Sequence, residues 1–149
     1  MYYKKEKQIL VSLISYILIL GFYSLYVYNK YVTVNPDIIN DFKFWGKAFL
    51  FMIPVIIVAE IVIHIVFAII NKIVTNEDMP TINDERDKLI ELKTIKTSHW
   101  VFGFGFVLAM GSQAIGMQPW VMFITLLSSC FVSTILQGIT KIYLYRKGF

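Results

Sequence analysis

A chain of 149 residues, 57% hydrophobic and 16% charged, has room for one domain, 1–149, and gathers its charges into a few blocks. Long uncharged runs of that kind suit lipid rather than water as the solvent, and the 16% aromatic share fits membrane interfaces, where Tyr and Trp are favoured. The net charge of +4 comes with Lys4, Lys5, Lys7 and Lys141, Arg146, Lys147 flanking apolar runs; no basic stripe is interleaved with exposed aromatics, which excludes a nucleic-acid partner.

Four apolar segments follow one another, 9–28, 45–70, 98–115 and 120–141. Each can cover the ~30 Å hydrocarbon core at ~1.5 Å per residue. Backbone polar groups in lipid must be satisfied within the segment, so each is expected to be a helix. The first begins like a secretory signal. It is as long as a span, however, and ends in Tyr23, Tyr26, Tyr28 and Tyr31 without a small-residue cleavage site, so we expect it to be retained. A loop over 29–44 with Pro36 leads to the second span, where Pro54 should kink the helix against the carbonyl of Leu50.

The second loop, 71–97, opens with turn chemistry from Asn76 to Pro80, after which Thr81 or Asn83 can cap a helix. Asp84, Glu85 and Asp87 then fall in its first turn, where the helix dipole favours them, and Asp84–Lys88 is a favourable i,i+4 pair. Leu89, Leu92 and Lys96 share a face. The expectation is a short cytoplasmic amphipathic helix that runs on into the third span. The turn 116–119 joins the last two spans as an antiparallel hairpin.

Orientation follows from the cations. Eleven Lys and Arg lie at the two ends and in the second loop, against three (Lys30, Lys43, Lys47) on the other side. The positive-inside rule places both ends in the cytoplasm, with Trp45 and Trp120 at the outer interface and Trp100 at the inner one.

The run Asp84-Glu85-Arg86-Asp87-Lys88-Leu89-Ile90-Glu91-Leu92-Lys93, just before an apolar segment, resembles a group of small uncharacterised prokaryotic multi-pass membrane proteins. Those carry an Asp-Glu-Arg-Asp/Glu cluster before a transmembrane helix. The resemblance covers about thirty residues around 84–98 and the four-span layout. It implies a domain of unknown function, with no activity and no catalytic residues to carry over.

Glu60 is the residue that calls for an explanation, because an ionised carboxylate inside an apolar span costs roughly 2.5–3.5 kcal/mol on insertion scales. It should be protonated, paired or turned to a polar interior. His64 lies one turn on, on the same face. With segment midpoints taken as the bilayer centre, Tyr16 and Ser133 fall at the level of Glu60; Ser12, Gln137 and His99 fall near His64. Thr125, Ser129, Ser133 and Gln137 repeat at i+4, so these stripes are expected to face one another across the bundle. One reading is a structural polar seam, each contact worth about 0.6 kcal/mol. The other is a proton- or cation-responsive site formed by Glu60 and His64 with Tyr16, Ser133 and Gln137.

Two further readings compete. His64 and His99 could serve as axial ligands to a haem or line a quinone pocket. A lipid-modifying enzyme would need a metal-binding acid set, but the acids of 84–91 are interleaved with Arg86 and Lys88. Those residues either cap the third span or dock a cytoplasmic partner through Asp84, Arg86 and Asp87. Cys130, the one cysteine, forbids an internal disulfide and sits in an apolar run as a small hydrophobe. No metal and no cofactor is expected.

The sequence reading is therefore an all-α, four-helix transmembrane bundle with N-in and C-in ends, in a bacterial-type plasma (inner) membrane. Its expected role is that of a non-enzymatic accessory or interaction protein, partnered by the lipid bilayer, by its own copies in a homo-oligomer, or by a membrane or cytoplasmic protein. The alternative is a proton- or ion-responsive channel or transporter subunit. One acid on four short helices without an inverted repeat would need oligomerisation to form a pathway.

Overall fold

The computed structural model describes residues 2–78 and 84–148, and within them the chain is helical with no strand. Four long helices run over Tyr2–Val27 (α1), Phe42–Thr75 (α2), Glu85–Ala114 (α3) and Pro119–Arg146 (α4). A π turn at Tyr28–Val32 extends α1, and a 3-10 turn at Pro36–Asn40 precedes α2. Three stretches, Tyr3–Val32, Phe42–Thr75 and Pro119–Arg146, are long and apolar enough to cross a membrane. Helix α3 is not among them. Ser98, His99, Gln113 and the glycines 103, 105 and 111 dilute its apolar content, although no Asp, Glu, Lys or Arg follows Lys96 within it.

Helix continues further than the apolar runs do, because a hydrogen-bonded ladder once formed propagates cheaply through Asn71, Lys72 and Thr75. Much of 29–44, expected as loop, and all of 71–75 are therefore helical. α2 passes Pro54 as one element and stops at Asn76, whose φ of 54° turns the chain left-handed while its N–H still reaches Lys72 O at 2.9 Å. At its start the Asp41 carboxylate accepts from the Lys43 amide at 3.0 Å. Thr81 and Asn83, the expected caps of α3, lie outside the described residues. Asp84 takes the cap position without a side-chain bond and forms no ion pair with Lys88.

The helix expected to lead from the second loop into the third segment is the first part of α3, which is continuous from Glu85. Leu89, Leu92 and Lys96 are all exposed. The buried stripe is Asp87, Ile90, Thr94, Gly105, Ala109 and Ser112, at helical spacing along α4. α3 and α4 make the most extensive pairing in the chain. They approach closely because a Cβ on Gly105 would overlap Ser129 Oγ and Cβ. Gly116 at φ 84° and Pro119 at the first turn of α4 close the hairpin.

The helices form a row, α2 on α1, α1 on α4 and α4 on α3, in place of a closed bundle. A Cβ on Gly138 would meet Leu13 Cδ2 at 2.5 Å, which sets the α1–α4 separation. At one end of the row α2 also reaches α4, where Trp45 stacks on Phe123 at 5.2 Å with Phe42 and Phe49 edge-on to the same ring. Trp45 is thus buried, with its indole N–H on Ile39 O at 2.7 Å.

Candidate functional site

Two polar clusters stand out, one within the apolar region between α1 and α2 and one at the end of the row where the basic residues gather. In the first, Ser15 Oγ donates to Glu60 Oε1 at 2.8 Å, and Glu60 Oε2 lies 3.3 Å from His64 Nε2. Ser12 Oγ sits 3.0 Å from the same nitrogen. Glu60 and His64 are one turn apart on α2, and Ser12 and Ser15 one turn apart on α1, so two adjacent turns of each helix interlock. Their side chains are 22% and 36% exposed.

Nε2 holds at most one proton and faces two oxygens. Protonated, it donates to Glu60 or Ser12. Bare, it accepts from Ser12, and the Glu60 carboxyl must then carry the proton if the 3.3 Å contact is to be a bond. The pair can therefore share or pass one proton without moving a helix.

The other predicted residues divide. Ser12, Tyr16, Glu60, Thr134, Gln137 and Lys141 line a cleft of about 260 Å³ across α1, with α2 on one side and α4 on the other. Tyr16, Glu60 and Gln137 thus line one cleft, although their depths put Gln137 a turn away, at the level of His64. Ser133 is not. It is buried, and its hydroxyl is spent on Cys130 O at 2.9 Å. The reason is angular: a step of four residues advances 400°, so an i+4 stripe turns about 40° per step. Ser129, two steps before Gln137, faces Gly105 on α3, whereas Gln137 faces the cleft. The hydroxyls of Thr125 and Ser129 bond back to the carbonyls four residues earlier on α4. His99 is exposed on α3, and α3 packs on α4 while α2 packs on α1, so the two histidines do not meet.

Ser15 was absent from the sequence reading because a level drawn through the segment midpoint picked Tyr16, one residue and 100° away. Among the described residues no group of three or more His, Cys, Asp or Glu side chains could hold a metal ion.

In the second cluster Lys5 pairs with Asp87, the Tyr145 hydroxyl donates to the other Asp87 oxygen at 2.9 Å, and the Lys5 ammonium lies 5.5 Å from the Tyr145 ring centre. Beside it Arg146 grips Glu6 with two bonds of 3.0 and 3.1 Å. The starts of α1 and α3 and the end of α4 are joined there. Asp87 is 3% exposed. Covering the carboxylate opposes its ionisation, but Lys5 and Tyr145 more than offset that and hold it below the usual carboxylate range. Of the residues expected to dock a partner, Asp84 is exposed, Arg86 half-buried, and Asp87 turned into the chain with its oxygens engaged.

Compared with known protein families, with curated proteins and with solved structures, the chain matches none.

Proposed function

We propose that this chain is a four-span integral membrane protein, with both ends cytoplasmic in a bacterial-type inner membrane, that acts without catalysis as an accessory or interaction subunit. The observation that carries it is α2. From Leu50 to Val74 it presents Phe51, Ile57, Ile61, Ile65 and Ile69 to the outside, and none of its most apolar stretch is buried within the chain. Only lipid or another apolar protein surface suits such a helix.

Support for a fourth crossing comes from the ionic cluster. Lys5 and Glu6 at the start of α1 meet Asp87 at the start of α3 and Arg146 at the end of α4. If α1, α2 and α4 cross, α3 must cross too for those residues to share one side. Cation placement then favours that side as the cytoplasm. In a Cys130→Ala background, single cysteines at Lys7, Asp37, Met117 and Lys147 report the topology to a membrane-impermeant thiol reagent added to intact cells. The expected result is labelling at 37 and 117 alone. Labelling at 37 and 147 would mean that α3 does not cross.

The interaction role is tested by the native mass in mild detergent with an absorption spectrum on the same sample. A defined oligomer or stoichiometric complex is expected, and a ligand-free monomer at every concentration would remove the role.

A second reading, a proton-responsive subunit, is favoured by one specific observation, the Ser15–Glu60–His64–Ser12 chain. Glu60→Gln keeps an acceptor for Ser15, so its cost in stability should be within about 1 kcal/mol, the scale of a hydrogen bond between membrane helices. In proteoliposomes carrying a pH dye, loss of a wild-type proton leak in that variant, with its melting unchanged, supports this reading. Equal leaks in the two proteins remove it.

A further inference from the structure

Lys43 and Lys47 line one groove, and Lys30 reaches its rim through the Tyr26 hydroxyl. At the Trp45 end of the row a cavity of about 560 Å³ is lined by Tyr26, Tyr31, Asp41, Lys43 and Lys47, with Ile38 of the 3-10 turn as part of its wall. It shares Tyr23, Tyr26 and Val55 with a second cavity of about 690 Å³ that continues along the α1–α2 seam past Leu18 to Val11. The two form one trough. Along α1 it runs from Tyr26 to Val11, about 22 Å at ~1.5 Å per residue, more than the half-thickness of a ~30 Å hydrocarbon core.

Its two ends differ in chemistry. The deep part is almost wholly apolar. The mouth carries two ammonium groups one helical turn apart, neither with an ion-pair partner among the described residues. The one acid beside them, Asp41, is engaged with the Lys43 amide at the start of α2. Lys30 bonds the Tyr26 hydroxyl at 2.8 Å and lies over its ring, which adds positive charge at the rim. A positive mouth above an apolar channel matches a molecule with an anionic head and a hydrocarbon tail.

We propose that this trough binds one anionic phospholipid, its phosphate between Lys43 and Lys47 and one acyl chain laid along the α1–α2 seam. A phosphate offers acceptor oxygens to both ammonium groups at once. A zwitterionic lipid brings a cation to the same mouth and loses that advantage. A free phosphate makes no use of the trough. The inference rests on the membrane reading alone, which the cysteine labelling tests separately.

The test uses the full chain, delipidated in mild detergent and titrated with phosphatidylglycerol or phosphatidylcholine, bound lipid being counted by native mass spectrometry. Phosphatidylglycerol should bind at least tenfold more tightly. The pair Lys43→Gln and Lys47→Gln should weaken it roughly thirty-fold, the worth of two lysines at a lipid surface. Lys96→Gln with Lys147→Gln, at the other end of the row, should leave it unchanged. Val55→Trp fills the trough where the two cavities join and should lower the affinity for either lipid, which keeps the test open if the double variant does not fold. Equal affinity for the two lipids, or unchanged binding in a folded Lys43/Lys47 double variant, overturns the proposal. So does glycerol phosphate binding as tightly as the whole lipid, which would mark a free-phosphate site.

Discussion

Replacing Asp87 with Ala should cost about 3 kcal/mol of stability, at the lower end of the range for removing one partner of a buried ion pair. The substitution leaves the Lys5 ammonium, also buried, with no carboxylate, and takes the acceptor from the Tyr145 hydroxyl. The lower end applies because the cluster sits at the tip of the row, covered by its neighbours but not deep. Denaturant unfolding in detergent reads the loss. The apolar pair Lys5→Met with Asp87→Leu should lose less than either single change, since no orphaned charge remains. A loss below about 1 kcal/mol for Asp87→Ala would mean that the pair behaves as a solvated surface bridge.

The same carboxylate makes stability depend on pH. Its folded value is depressed, so it binds protons more weakly folded than unfolded. Its contribution is fully present above the unfolded value, ~3.9 for Asp, and is lost as pH falls through the folded one. The sign is therefore destabilisation by acid, and Asp87→Asn should flatten that limb of the profile.

Gly105→Ala should be the other severe change. The new methyl would fall on Ser129 Oγ and Cβ, with the Ser129 backbone directly behind, so α3 and α4 have to separate. Overpacking of this kind costs about 1–3 kcal/mol, and the upper end is expected where two helix backbones must move. Gly111→Ala on the same helix has nothing within 4 Å of the new carbon and should stabilise, by up to about 1 kcal/mol from helix propensity. The opposite signs, read as shifts in melting midpoint, separate packing from propensity. Ser129→Gly should recover much of the Gly105→Ala loss, and failure to do so would place the constraint elsewhere.

Most of the secondary structure was legible because lipid-like runs leave the backbone no alternative to helix. The hairpin at Gly116–Pro119 was legible from its two turn residues. Which helix lies beside which was not, since apolar faces such as that of α2 carry no address. The row arrangement depends on features that a single segment does not display, among them the fit of Gly105 to Ser129 and of Gly138 to Leu13. Glu60 and His64 were found because they are costly where they stand. Ser15 was missed because a serine in a membrane helix is cheap and common. Asp87 was read with its sequence neighbours as one charge cluster; its separation from Asp84 comes from Lys5, 82 positions away, and from Tyr145, 58 away.

The pairing of α3 with α4 bears on how a nascent chain is made. α3 leaves the ribosome before α4 exists, yet its Ser112, Gly105 and Thr94 are hidden only once α4 lies against them. Alone it is a mediocre solute for hydrocarbon. Joined to its partner by a turn of a few residues, it forms half of a two-helix unit that exposes Phe104, Val107 and Leu108 on α3 and Ile124, Val132 and Ile139 on α4. The four-residue link around Gly116 keeps α4 within reach of α3 as soon as it is made, so that in the four-span reading the later helix admits the one before it.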